Sequence, residues 1–216
     1  MSRKSPKKPE DRELGYKLLT PLMRPLFQFY NNPRIIGAEK IPKDSAIIIA
    51  GNHKHVYDQC LTIIATKRMI HYMAKKEYFD GRLAPLFRAV GCIPVDRSRK
   101  DIACVMSAMR VLKRGGAIGI FPEGTRNKTD QFLLPFKFGC VSMAKKADAY
   151  IVPFGLTGDY KFRSKNLTIR YGEPFKVGNM TTEEANEKLY REVERLMLEN
   201  LDEEKACLLY TSPSPR

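Results

Sequence analysis

The sequence predicts an α/β domain in which a central, mostly parallel, twisted sheet is flanked by helices. Three observations carry this. From Ala46 onward, short apolar runs bounded by turn residues alternate with helical patterns, the order expected when crossover helices cover both faces of a sheet. At 216 residues the chain can bury one domain of roughly 150–200 residues, with little left for a second. An apolar share of 43% and a charged share of 29% are those of a chain that folds.

Residues 1–33 stand apart from the domain expected at 34–206. Residues 2–11 mix Lys, Arg, Pro and Ser with almost nothing apolar and read as a disordered basic arm. Then Leu14, Leu18, Leu22 and Leu26 recur every fourth position, joined by Leu19, Met23 and Phe27, with Arg12, Lys17 and Arg24 alongside. That is a basic amphipathic helix, and Pro21 and Pro25 predict one bent helix or two short ones in place of a straight rod. Such a segment docks in a headgroup layer, its apolar side chains immersed and its cations against lipid phosphates. Packing on the domain core is the alternative.

Strands are predicted at 46–50, 69–74, 92–95, 117–121, 151–156 and 167–171, and helices at 59–66, 101–114, 137–146 and 181–201. Thr182 is the expected N-cap of the last helix, with Glu183 and Glu184 at its positive end. The string CLLYTSPSPR at 207–216 breaks with that helix and matches a translated sequencing-library adapter, so it is set aside as a non-native tail.

Residues 1–12 show no apolar core of a signal peptide, and the charge-free run at 149–158 falls short of the ~18 apolar residues a bilayer crossing needs. Five cysteines without a CxxC pair imply reduced core thiols in a cytosolic setting, not a zinc site or a disulfide framework. A net charge of +14 calls for a polyanionic partner, and nucleic acid, anionic lipid and an acidic carrier protein all qualify.

The chemistry gathers in two segments. In GNHKHVYDQC, between an apolar strand and an apolar helix, His53 and Asp58 are five apart. On one continuous helix they would point roughly 140° apart, so they converge only if His53 lies in the turn and Asp58 in the first helical turn. Asp58, favoured there as an anion by the helix dipole, can then accept a proton from one imidazole nitrogen and leave the other as a base. That is the His–Asp half of a triad, with a substrate hydroxyl as nucleophile. In FPEGTR an apolar strand enters a tight glycine turn that displays Glu123, Thr125 and Arg126. A guanidinium there suits phosphate, Gly124 allows close backbone approach, and Thr125 adds a hydroxyl donor. Glu123 cannot bind phosphate itself and is expected to hold Arg97 or Arg126, or to order the turn. His71 lies in a strand pattern and reads as structural.

These segments resemble the sequence blocks of the lysophosphatidic acid (1-acyl-sn-glycerol-3-phosphate) acyltransferases. NHKHVYD is similar to their NHxxxxD block, GCIPVDR to the second, FPEGTR to the third with LLPFKFG as its follow-on, and IVPFGL to the fourth, in the same order from Asn52 to Leu156. His55 and Pro94 depart from the usual residues without removing a role-bearing side chain.

The resemblance implies the glycerolipid acyltransferase fold, with His53 as base and Asp58 orienting it. It also implies a phosphate site drawn from Lys75, Arg97, Glu123, Gly124, Arg126 and Lys137, to which the turn adds the Thr125 hydroxyl, and an acyl side lined by the block with Pro153. It implies acyl transfer from acyl-CoA or acyl carrier protein to the sn-2 hydroxyl of 1-acyl-sn-glycerol 3-phosphate, giving phosphatidic acid. No metal or bound cofactor is expected, and the enzyme would sit peripherally on the cytoplasmic face of an anionic membrane with no nucleic-acid partner. The alternatives are the same chemistry on glycerol 3-phosphate or another lysolipid, or a non-catalytic basic protein that binds lipid or nucleic acid.

Overall fold

The computed structural model describes residues 14–96, 98 and 101–211, the last seven of them as backbone only. The basic arm and Arg97 lie outside these. Helix α1 (Leu14–Asn31) leads into a short strand, β1 (Arg34–Ile36). The domain then alternates as expected: β2 (Ile47–Gly51), α2 (Asp58–Ala65), β3 (Ile70–Lys75), α3 (Ala84–Ala89), β4 (Ile93–Val95), α4 (Ile102–Lys113), β5 (Ala117–Ile120), α5 (Gly139–Ala147) and β6 (Tyr150–Thr157). Strand β7 (Thr168–Tyr171) and the long helix α6 (Thr182–Thr211) complete it.

All seven strands form one sheet in the order β1-β7-β6-β2-β5-β3-β4. Every pairing is parallel except β6 with β7. Central β2 shows why its sequence is a continuous apolar run, Ile47-Ile48-Ile49-Ala50. Successive side chains point to opposite faces, so Ile48 and Ala50 enter the core under α4, α5 and α6, and Ile47 and Ile49 the core with Leu61 of α2. All four are fully buried, each isoleucine being stabilised by about 1.5–3 kcal/mol relative to exposure.

Of the two forms expected for the N-terminal segment the structure has the single helix, and Pro21 and Pro25 lie inside α1. Both are exposed, so the backbone bonds they forgo fall on the outer face. At the C-terminal end the structure departs from the sequence reading: Thr181, not Thr182, caps α6. Its hydroxyl accepts from Glu184 N at 3.1 Å, and the Glu184 carboxylate accepts from Thr181 N at 2.7 Å, a reciprocal capping box. The helix runs past residue 201 to Thr211, because 202–211 hold good helix formers and no Gly or Pro. The remaining adapter-like residues, 212–216, lie outside the described chain.

Candidate active site

Three loops at the carboxyl ends of neighbouring parallel strands build the site: 52–57 after β2, 121–138 after β5 and 158–166 after β6. Open α/β sheets place ligands at this edge.

His53 sits in the β2 loop and Asp58 opens α2, the division that lets side chains five apart meet. His53 Nδ1 lies 2.7 Å from Asp58 Oδ2. Asp58 is fully buried, and its charge is compensated by four donors. Oδ2 also accepts from the backbone N–H of Lys54 and of His55, each at 2.8 Å, and Oδ1 accepts from the Tyr160 hydroxyl at 2.7 Å. A buried carboxylate so bonded is held in one orientation, and with Nδ1 engaged Nε2 is the nitrogen left for chemistry. His55 is excluded from that role: its ring accepts from Tyr57 N at 3.3 Å and stacks on Tyr160. His71 is structural as expected, buried with Nδ1 2.8 Å from Gly91 O.

The β5 loop fixes the histidine from the other side. Glu123 is 4% exposed; its carboxylate accepts from His53 N at 2.5 Å and from Leu134 N at 3.1 Å. Of the roles foreseen for it, ordering the turn is the one the described contacts support. It is no outward-facing phosphate ligand. Burial pushes its pKa up, opposed by the two backbone donors. Asn127 N donates to His53 O at 2.7 Å, and the Phe121 ring stacks on the imidazole at 3.9 Å and 11°. Asn52 ties the β2 loop to β6, its side-chain amide exchanging two bonds with the Leu156 backbone at 2.9 and 2.8 Å.

The structure thus brings His53, Asp58 and Glu123 together. The other described phosphate candidates are arrayed outside them. Thr125 and Arg126 are exposed on the glycine turn. Gly124 has φ +73°, and a Cβ there would meet the exposed Lys137 Nζ at 2.8 Å, so this lysine lies over the turn. Lys75 ends β3, paired in register with Val95 of β4, on the far side of β5 from the dyad. A cavity of about 330 Å³ opens beside His53 between Asn127, Phe132, Leu156 and Met197, and neither Lys75, Arg126 nor Lys137 lines it.

Arg24 has a different role from the lipid contact expected. Its guanidinium donates to Ile63 O at 3.0 Å and to Thr66 O, satisfying carbonyls at the C-terminal end of α2 that the helix itself leaves open. Cys60 and Cys140 are poor nucleophiles: burial, with Asp58 adding to it, pushes Cys60 up to about 11, and burial alone drives Cys140 up to about 12. Among the described residues no group of His, Cys, Asp and Glu is placed to hold a metal ion.

The sequence profile of the acyltransferase family matches residues 32–157, more than half of the chain. The chain belongs to the acyltransferase family. It is 28% identical over 187 residues to a 1-acyl-sn-glycerol-3-phosphate acyltransferase of Bacillus subtilis, covering 84% of this chain and 92% of that protein. It is 34% identical over 141 residues to one of Borreliella burgdorferi, covering 64% of this chain and 56% of that longer relative. The crystal structure of the 1-acyl-sn-glycerophosphate acyltransferase PlsC from Thermotoga maritima shares the fold, with a TM-score of 0.72 at 22% identity over 92% of this chain and 81% of that one. Two of the three loops that build the site lie within the family's span; the third, 158–166, which contains Tyr160, follows it. Sequence reasoning missed Tyr160: it lies 102 positions from Asp58, in no recognised block.

Proposed function

We propose that this acyltransferase moves an acyl chain from a thioester donor, acyl-CoA or acyl carrier protein, to the sn-2 hydroxyl of 1-acyl-sn-glycerol 3-phosphate. The carrying observation is the His53–Asp58 pair at 2.7 Å, with the carboxylate buried and fully bonded. In this reading Nε2 removes the hydroxyl proton as the oxygen attacks the thioester carbonyl. The tetrahedral intermediate then collapses, expelling the thiolate, which takes the proton back from the imidazolium. No metal or bound cofactor enters these steps.

Lys137, Arg126 and Thr125 at the glycine turn, with Lys75 farther along the same sheet edge, are the proposed receivers of the acceptor phosphate, together with Arg97 of the second block. The names carried by its relatives support this acceptor. Incubating the protein with lysophosphatidic acid micelles and each donor in turn tests it. Phosphatidic acid with stoichiometric release of thiol from one donor supports the reading and names that donor. Product only with glycerol 3-phosphate or another lysolipid would replace the acceptor.

The proposed setting is a membrane surface, occupied peripherally. No described helix is long and apolar enough to cross a bilayer. Helix α1 docks through its polar side: Tyr16 and Thr20 are buried, and the Tyr16 hydroxyl donates to Arg68 O at 3.0 Å. Its leucines face outward, Leu14, Leu18, Leu22 and Leu26 being 63–71% exposed. Phe29 and Tyr30 continue this apolar face to the exposed Phe162. An apolar stripe turned away from the core beside cations is what an interfacial helix presents. Changing Leu18 and Leu22 together to Asp should cut partition onto vesicles containing phosphatidylglycerol by at least ~10-fold, since each immersed leucine contributes ~1.5–3 kcal/mol. Sedimentation with vesicles measures this, and undiminished binding would remove α1 from the interface.

A further inference from the structure

Of the four donors on Asp58, three come from its own loop: His53 Nδ1 and the backbone N–H groups of Lys54 and His55. All three converge on Oδ2. The described donor to Oδ1 is the Tyr160 hydroxyl, 102 positions away in sequence. A carboxylate held by one oxygen can still swing about its last torsion, carrying the imidazole with it. Held by both, its plane is set.

The tyrosine is itself held on several sides. Its ring stacks on His55 at 4.6 Å and meets Phe27 of α1 and Tyr57 edge-on at 6.3 and 6.0 Å. The backbone leading to it turns at Gly158, with φ +81° and Asn166 backbone packed where a Cβ would lie. The Lys54 ammonium donates to Gly158 O, joining this turn to the His53 loop.

We propose that Tyr160 is a positioning residue for acyl transfer: its hydroxyl fixes the plane of Asp58, and through it the orientation and basicity of His53. The inference rests on His53 being the base. Burial, with the Asp58 charge beside it, keeps the phenol pKa raised, so Tyr160 remains a neutral donor. The other titratable groups facing this cluster are Glu123 across His53, Lys54 and His55 in the loop, and Cys60 and Tyr72 behind Asp58. Burial holds both Cys60 and Tyr72 uncharged.

Tyr160→Phe keeps the ring contacts and deletes the donor. The expected result is a fall in kcat of about tenfold to a hundredfold, the weight of one hydrogen bond to a buried charge, with KM for both substrates within about twofold. Asp58, freed of that donor, becomes a stronger acceptor for the His53 Nδ1–H and stabilises the imidazolium. The acid limb of kcat/KM therefore moves to higher pH. A variant with unchanged kcat and an unmoved acid limb overturns the proposal.

His53→Ala is measured beside it. If His53→Ala alone keeps full activity, the base assignment fails whatever Tyr160 does. If it is impaired, the double variant His53→Ala/Tyr160→Phe should be no slower than His53→Ala, and an additive loss would show that Tyr160 acts elsewhere. In the unsubstituted protein a slowly exchanging Tyr160 hydroxyl proton, seen by NMR, reads the same bond independently of how the variant folds, and its absence also overturns the proposal.

Discussion

His53→Ala should lower kcat by about 10²–10⁴-fold, the range an oriented general base contributes, with KM for the thioester donor little changed. The reason to expect a chemical rather than a structural loss lies in how the loop is held. The backbone N–H of His53 is bound by Glu123 at 2.5 Å and its carbonyl by Asn127 at 2.7 Å. Neither bond involves the imidazole. Asn52 separately locks the start of the loop to Leu156. Removing the ring leaves this frame, the Phe121 face against which it stacked and the cavity beside it. Single-turnover kinetics with radiolabelled acyl donor, alongside far-UV circular dichroism, checks the expectation. A folded variant with full turnover would move the base elsewhere, and His55 is poorly placed to replace it because its ring engages Tyr57 N and Tyr160 rather than Asp58.

The pair itself was legible in the sequence because its geometry is local. A histidine in a turn and an aspartate five residues on can meet only across a loop-to-helix boundary, and the apolar runs on either side place that boundary. The strands of the sheet centre were legible for a similar reason: β2, β5 and β6 are buried on both faces, so each appears as a continuous apolar run. Strand β1, three residues at the sheet edge with one exposed, carries no such run and was missed. So was α3, a helix of six residues, too short for a 3.6-residue period to register.

What escaped is set by distant backbone or by a partner far along the chain. For Glu123 the sequence left holding Arg97 or Arg126 and ordering the turn as alternatives, and what it did not show is the partners through which the turn is ordered, N–H groups 70 and 11 positions away. Arg24 looked like one more interfacial cation, yet its guanidinium finds the open carbonyls of α2. Hydrophobic periodicity reports which face of a helix is apolar and not which face is inside. In α1 the face inside is the more polar one, anchored by Tyr16, Thr20 and Arg24.

Asp58→Asn separates charge from geometry at the same pair, and the pattern of donors says how the new side chain will sit. Three donors converge on Oδ2 and one hydroxyl meets Oδ1. The amide oxygen must therefore take the Oδ2 position, since an NH₂ there would face two backbone N–H groups. The amide nitrogen then lies toward Tyr160, whose hydroxyl can rotate to accept in place of donating. His53 keeps its Nδ1–H tautomer, so Nε2 stays available. What is lost is the negative charge that stabilises the imidazolium formed as the acceptor hydroxyl is deprotonated. A fall in kcat of about 10²-fold is expected, with the acid limb of kcat/KM displaced to lower pH because the imidazolium has lost its counter-charge. The direction opposes that expected for Tyr160→Phe, which strengthens the same acceptor. Rate–pH profiles of the two variants, run side by side on lysophosphatidic acid, decide the matter: limbs moving in opposite directions place both residues on one carboxylate acting through His53, and limbs moving together would mean that Asp58 serves the loop backbone more than the base.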